Sequence, residues 1–283
     1  MGRHEEAIGR HGFRFKHSLG QNFIFDEALL DRLAEAAGVT AQDDVLEIGP
    51  GSGTLTARLA ARAHRVLALE LDRSLIPVLQ DALAGRGNVT LVQGDATRAD
   101  LRGLAAQAFG EGRPFLVVAN LPYYVTTPVL TRLLTEGLPV ARIAVMVQRE
   151  VGEKLTAQPG DAAYCLLSAL CAWHAKAREA LAVPAAYFIP RPKVDSSFMV
   201  LDMREQPPVP EADAGLTMRV ARVAFAMRRK TMLNNLQPAF GLTREQAQAC
   251  LEAAGIEPAA RGETLSVQAF ADIAQALAQI KKI

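Results

Sequence analysis

The 283-residue sequence holds only three cysteines and one tryptophan. Cys165, Cys171 and Cys250 form no C-x-x-C pair and no zinc-ligand spacing. This excludes a disulfide framework and a zinc module, and fits buried thiols in a reducing compartment. No metal site is expected. No apolar run comes near the roughly 20 residues of a membrane helix. The opening Met1–Glu6 lacks the apolar core of a signal peptide, so a cytoplasmic chain with no membrane contact is expected. Net charge is also scarce: 31 Lys and Arg against 30 Asp and Glu leave +1, which gives no general pull on a polyanion. The basic residues nevertheless cluster. Arg10, Arg14 and Lys16 lie in the opening arm. Arg219, Arg222, Arg228, Arg229 and Lys230 fall in a stretch, 214–230, without an acid. Such stretches fit either a localised anionic partner or solvated helix faces.

Half the residues are apolar, and their order carries more information than their number. Short β-rich runs at Val45–Ile48, Val66–Glu70, Val89–Val92, Phe115–Ala119, Ile143–Val147 and Phe198–Leu201 alternate with helical stretches such as Leu55–Arg62 and Leu75–Leu83. Continuous apolar strands spaced by helices predict a doubly wound parallel sheet. Asp26 is placed to cap a helix over Glu27–Ala37. The run Glu205-Gln206-Pro207-Pro208-Val209-Pro210 reads as a linker. Beyond it only helical periodicity follows, at Leu216–Met227, Thr243–Ala254 and Val267–Ile280.

The first strand runs into Glu47-Ile48-Gly49-Pro50-Gly51-Ser52-Gly53. Glycines at a strand-to-helix turn let a ligand approach the backbone. The spacing is G-x-G-x-G with Thr54 sixth, which departs from the G-x-G-x-x-G of a pyrophosphate site. Glu47 would repel a pyrophosphate and suits a cationic ligand. Glu70, at the end of the second strand, is placed to bond ribose hydroxyls. Asp95, after the third, could accept from an adenine amino group. Acids thus end three successive strands with no Lys or Arg beside them. The pattern looks like a site for S-adenosylmethionine, whose sulfonium and ammonium are cationic.

The fourth strand ends in Asn120-Leu121-Pro122-Tyr123. An exocyclic adenine amine is a poor nucleophile because its lone pair is delocalised. Two acceptors for its hydrogens, the Asn120 side-chain oxygen and the Leu121 carbonyl, would make it more tetrahedral and stabilise the charge that develops. Pro122 stiffens the turn, and Tyr123 offers a ring to a base drawn out of its stack. The plainer alternative is a rigid loop with two buried tyrosines.

Lys16-His17-Ser18-Leu19-Gly20-Gln21-Asn22-Phe23, the glycine loop, Glu70-Leu71-Asp72, Gly94-Asp95-Ala96 and Asn120–Tyr123 occur in that order. Met146–Val151, Phe188–Ser196 and Phe225–Thr231 follow. Taken together, the set resembles the bacterial small-subunit rRNA adenine dimethyltransferases, the KsgA/RsmA family, over nearly the whole chain. The resemblance implies an α/β, Rossmann-like doubly wound methyltransferase domain with an N-terminal arm at 1–204, and a small all-helical rRNA-binding domain at 205–283. It implies N6,N6-dimethylation of two adjacent adenosines in the 3′-terminal hairpin loop of 16S rRNA, on an immature 30S subunit, by a monomer. By position Asn22, Ile24, Gly49, Gly51, Glu70, Asp95 and Asn120 match cofactor contacts. Phe188 matches an aromatic that sandwiches the target base with Tyr123. Arg14, Lys16, Arg222, Arg228, Arg229 and Lys230 would lie near RNA. The related large-subunit rRNA methyltransferases share the cofactor motifs, and the segment Arg228–Leu236 favours the small-subunit type. A fold-alike that binds RNA without catalysis is the reading from another class.

Overall fold

The valine- and leucine-rich runs form the middle of a sheet because both faces are covered. All five positions of Asp44–Ile48 are buried, as continuous apolar strands require. In the computed structural model, residues 3–13, 15–16 and 19–281 are described. The strands are β1 (Phe23–Ile24), β2 (Asp44–Ile48), β3 (Arg65–Glu70), β4 (Val89–Gln93), β5 (Phe115–Asn120), β6 (Val140–Gln148), β7 (Ala175–Val183), β8 (Phe188–Ile189) and β9 (Ser196–Met203). Seven of them make one sheet in the order β4-β3-β2-β5-β6-β9-β7, and β1 pairs separately with β8. Strands β2 to β6 pair in parallel. In contrast, β9 runs antiparallel to β6, so the expected parallel sheet holds only for the first five members.

From β2 the chain builds outward through β3 and β4, then returns to β5 on the other side of β2. Between β2 and β5 the winding reverses, and open sheets bind ligands at the carboxyl end of such a switch point. The register brings Ile48, Leu69 and Ala119 level. The residues that follow them therefore share one edge.

Helices α1 (Arg3–Arg10), α2 (Glu27–Ala36), α3 (Thr54–Ala60), α4 (Ile76–Ala82), α5 (Leu101–Phe109) and α6 (Thr126–Thr135) accompany the sheet. Asp26 caps α2 through the Leu29 N–H at 2.7 Å, as its position predicts. Leu30, Leu33 and Leu59 from α2 and α3 join Val45, Val66 and Val118 in one buried cluster. Leu59 has no exposed surface, so its truncation to Ala would cost about 2–5 kcal/mol.

The chain divides into two compact units, residues 1–152 with 177–203, and 153–176 with 204–283. The division expected at 204/205 thus misplaces residues 153–176. That segment joins the C-terminal helices because Tyr164, 1% exposed, donates to the Leu265 carbonyl at 2.9 Å and packs edge-on against Phe225. After α7 (Arg149–Thr156), the second unit holds α8 (Leu166–His174), α9 (Ala214–Ala226), α10 (Met232–Phe240), α11 (Arg244–Ala253) and α12 (Val267–Lys281). Phe270 and Val220, both 0% exposed, centre its core.

Candidate cofactor and catalytic site

The turn after β2 depends on its glycines. Gly49, Gly51 and Gly53 have φ of 72°, 58° and 80°, a region that other residues enter only with strain. At Gly51 there is also no room. A Cβ there would stand 2.9 Å from the ring of Phe23, which the arm lays against the loop.

The acids at this edge fall into two kinds. Glu70 is buried, and its carboxylate accepts from the Gly51 N–H at 3.1 Å and the Asp72 N–H at 2.7 Å. Burial pushes its pKa up, and these two bonds only partly offset that. Glu47 is 1% exposed, and its Oε2 has no hydrogen-bond partner. Burial pushes it up to about 8. The nearby Thr56 hydroxyl counters this weakly, without good hydrogen-bond geometry, and the neighbouring Glu70 adds to it. By contrast, Asp95 lies below the usual carboxylate range because the hydroxyl and N–H of Thr97 both bond its Oδ1. Asp72 is also lowered. Burial raises it, but Lys16 Nζ at 2.6 Å, Ser74 and Gln21 outweigh that.

At the end of β5, Asn120 Nδ2 donates to the Asn22 carbonyl at 3.0 Å. A carbonyl can only accept, so this contact fixes which way the amide is turned. Its oxygen is left on the other side. Pro122 has φ −55° and starts a 3₁₀ turn over Tyr123–Val125. The Tyr123 hydroxyl meets Ser196 Oγ, at the start of β9, at 2.8 Å.

A single cleft gathers Asn22, Ile24, Gly49, Gly51, Glu70, Asp95, Asn120, Leu121, Pro122 and Tyr123, together with Glu47, Tyr124 and the arm residues Leu19–Gln21. Its empty space, counted out to open solvent, is about 1070 Å³. Phe188 is not among the lining residues. It is 2% exposed and sits in the core cluster with Ile24 and Leu30, so no ring face stands open to a base. Tyr124, 55% exposed, is the open aromatic of this turn. Lys16 is held by Asp72 rather than free for RNA. Arg14 lies outside the described residues. Sequence reasoning missed Ser196, Gln21 and Asp72. All three had a signal, since each stands within a motif, but their pairings join residues 73 and 51 positions apart.

Among the described residues, no lysine or arginine lines the cleft. A buried carboxyl with an unpartnered oxygen, a second acid at the tip of β3 and a glycine loop fit a cationic nucleoside cofactor and not a pyrophosphate. Fold and site define an S-adenosylmethionine-dependent methyltransferase.

Comparison with known proteins narrows the class. The family model for ribosomal RNA adenine dimethylase matches residues 12–279. The chain is 43% identical over 285 residues to the ribosomal RNA small subunit methyltransferase A of Geobacillus thermodenitrificans (strain NG80-2), covering 100% of this chain and 97% of the relative. It is 46% identical over 274 residues to the protein of that name from Shouchella clausii (strain KSM-K16), covering 95% and 92%. Among solved structures, a dimethyladenosine transferase from Plasmodium falciparum shares the fold with TM-score 0.75, at 22% identity over 89% of this chain and 95% of that one. The 23S rRNA methyltransferase ErmE matches with TM-score 0.67, 25% identity, and 90% and 99% coverage. The chain belongs to the ribosomal RNA adenine dimethylase family.

Proposed function

We propose that this enzyme converts two adjacent adenosines in the 3′-terminal hairpin loop of 16S rRNA to N6,N6-dimethyladenosine, acting as a cytoplasmic monomer on an immature 30S subunit. The full-length relatives carry the small-subunit name, and the catalytic part of the reading rests on one observation, the fixed amide of Asn120. Bound S-adenosylmethionine supplies an electrophilic methyl on a sulfonium. Asn22 holds the Asn120 nitrogen, so the Asn120 oxygen is directed to accept a hydrogen from the target amine. The Leu121 carbonyl accepts the other. Two preorganised acceptors localise the amine lone pair and stabilise the positive charge that forms on nitrogen. Tyr123, held by Ser196, stacks on the extruded base. Asn22, Ile24, Gly49, Gly51, Glu70 and Asp95 hold the cofactor.

The helical second unit is the rRNA-binding domain in this reading. Its Arg222, Arg228, Arg229 and Lys230 are exposed. The Arg228–Glu263 pair is long, at 3.5 Å, and half-exposed, so a phosphate can displace it at little cost.

The test supplies labelled S-adenosylmethionine with unmethylated 30S subunits, 50S subunits and naked DNA. Dimethyladenosine in 16S rRNA is expected. Label on 50S alone would favour the large-subunit reading that the likeness to ErmE keeps in view, and label on DNA alone would overturn the proposal. Asn120→Ala should lower kcat roughly 100-fold while the cofactor Kd moves little. Unchanged turnover would make Asn120 a structural residue.

A further inference from the structure

Large apolar side chains are rarely left exposed in clusters without a reason. Six are exposed among the described residues: Leu71, Tyr124, Tyr187, Ile189, Val194 and Met227. Three of them, Tyr187, Ile189 and Val194, fall within one eight-residue segment, and Tyr124 stands on the catalytic turn. The same segment carries Arg191 and Lys193, both exposed. Neither makes an ion pair among the described residues. Asp195, the next acid along, spends Oδ1 on the Ala185 N–H at 2.8 Å and its carbonyl on the Arg149 N–H at 3.1 Å.

Both ends of this segment are tied to the catalytic turn. At one end β8 pairs with β1, Ile189 opposite Phe23. Asn22, just before β1, holds the Asn120 amide. At the other end Ser196 bonds the Tyr123 hydroxyl. Pro190 and Pro192 fix φ between these ties. The result is a stiff ridge beside the mouth of the cleft, bearing two unpaired cations interleaved with apolar surface. That combination binds single-stranded nucleic acid: cations take phosphates and flat apolar faces take unstacked bases, with little regard to sequence. A protein partner would be expected to offset the two positive charges with acids, whereas the substrate assigned above brings phosphates to this mouth in any case.

We propose that the ridge Tyr187–Val194 docks the RNA strand flanking the target adenosine, with Arg191 and Lys193 on its phosphates and Tyr187 or Ile189 against a neighbouring base. The inference rests on the rRNA methyltransferase reading. Arg191→Gln with Lys193→Gln should raise KM for unmethylated 30S subunits roughly tenfold at about 150 mM salt and flatten the log–log salt dependence by about 1.4, from about 0.7 per single-strand phosphate contact. Saturated kcat and the cofactor Kd, read by calorimetry, should stay as in the wild type, which also reports folding. Tyr187→Ala should raise KM without changing the salt slope. A photo-crosslinking residue at position 187 should capture 16S rRNA. An unchanged KM and slope in the double variant would overturn the inference, as would capture of ribosomal protein alone. The wild type separates the two levels: if it does not methylate 16S rRNA, the parent reading fails; if it does and the variants match it, only the ridge fails.

Discussion

Asp44 and Glu47 stand three positions apart on β2, each 1% exposed, yet their carboxyls are driven in opposite directions. Asp44 opens the strand at the amino edge of the sheet. Burial pushes it up, but Arg65 at 2.9 and 3.0 Å, His64 at 2.9 Å and Arg113 at 2.6 Å outweigh that and hold it below the usual range. Arg65 is itself fixed by the carbonyls of Ala108 and Phe109. Glu47, near the carboxyl edge, has an unpartnered oxygen and is pushed up to about 8. Two equally buried acids on one strand thus separate structure from function. The chain supplies cations to the acid that holds the sheet together. It withholds them from the acid that faces the cleft, where a ligand must bring the charge.

The largest expected effect comes from Glu47. Its folded pKa lies above the unfolded 4.5, so the group favours the folded state fully below about pH 4.5. That contribution is lost as pH rises through about 8. At about 1.4 kcal/mol per pH unit the loss reaches at most about 5 kcal/mol. Denaturant melts of the cofactor-free protein at pH 5, 6.5 and 8 should show stability falling. Glu47→Gln should flatten most of this, leaving the share that Glu70, also raised, contributes. Added S-adenosylmethionine should raise the wild-type melting temperature more at pH 8 than at pH 6, because its cation favours the ionised acid. A variant with the wild-type slope would break the contrast between the two residues.

Asp44 tests the other side. Asp44→Asn leaves Arg65 and Arg113 facing a neutral group. Those cations are a third to a half exposed and can rehydrate, so the cost sits near the low end of that for breaking a buried pair, about 3 kcal/mol. In the folded protein, cofactor affinity should not move. In the wild type the Asp44 contribution is present above pH 3.8 and lost as pH falls through its lowered folded pKa. Acid unfolding of the variant should therefore lack that step. A change in cofactor Kd at unchanged stability would contradict the division.

How much of this could be read beforehand depended on how local each feature is. The central strands were legible because burial on both faces makes them continuous apolar runs. Glu70 and Asn120 were legible because each ends such a run, and Asp95 because it stands two residues past the end of β4. Strand β7 was not: Ala-Lys-Ala-Arg-Glu-Ala-Leu-Ala-Val is made largely of helix formers, and its place at the end of the sheet overrides their propensity. Pro238 obscured α10. The partners of Asp44 were invisible because Arg65 and Arg113 come to it from distant positions. Phe188 was placed by family position as a base-stacking ring, but it is buried in a core cluster that also holds Ile24, its strand partner, and Leu30 of α2.

The smallest expected effect lies at the rim, where Lys16 crosses from the arm to Asp72. Asp72 resembles Asp44 in being buried, with 3% of its side chain exposed, and lowered. It differs in what surrounds it. Besides Lys16 it accepts from Gln21 Nε2 at 2.8 Å and from the Ser74 N–H and hydroxyl at 3.0 and 2.7 Å, and Lys16 is 44% exposed. An aspartate so well supplied by neutral donors should tolerate losing an exposed cation. Lys16→Met should therefore cost no more than about 1 kcal/mol, and less at high salt. Because Gln21 and Asn22 follow Lys16 along the arm and line the cleft, the cofactor off-rate should rise before the melting temperature falls. Stopped-flow release and a melt on one sample measure both. A loss near that of Asp44→Asn would show that the rim, too, relies on its cation, and that the sheet's two edges differ less than their buried acids indicate.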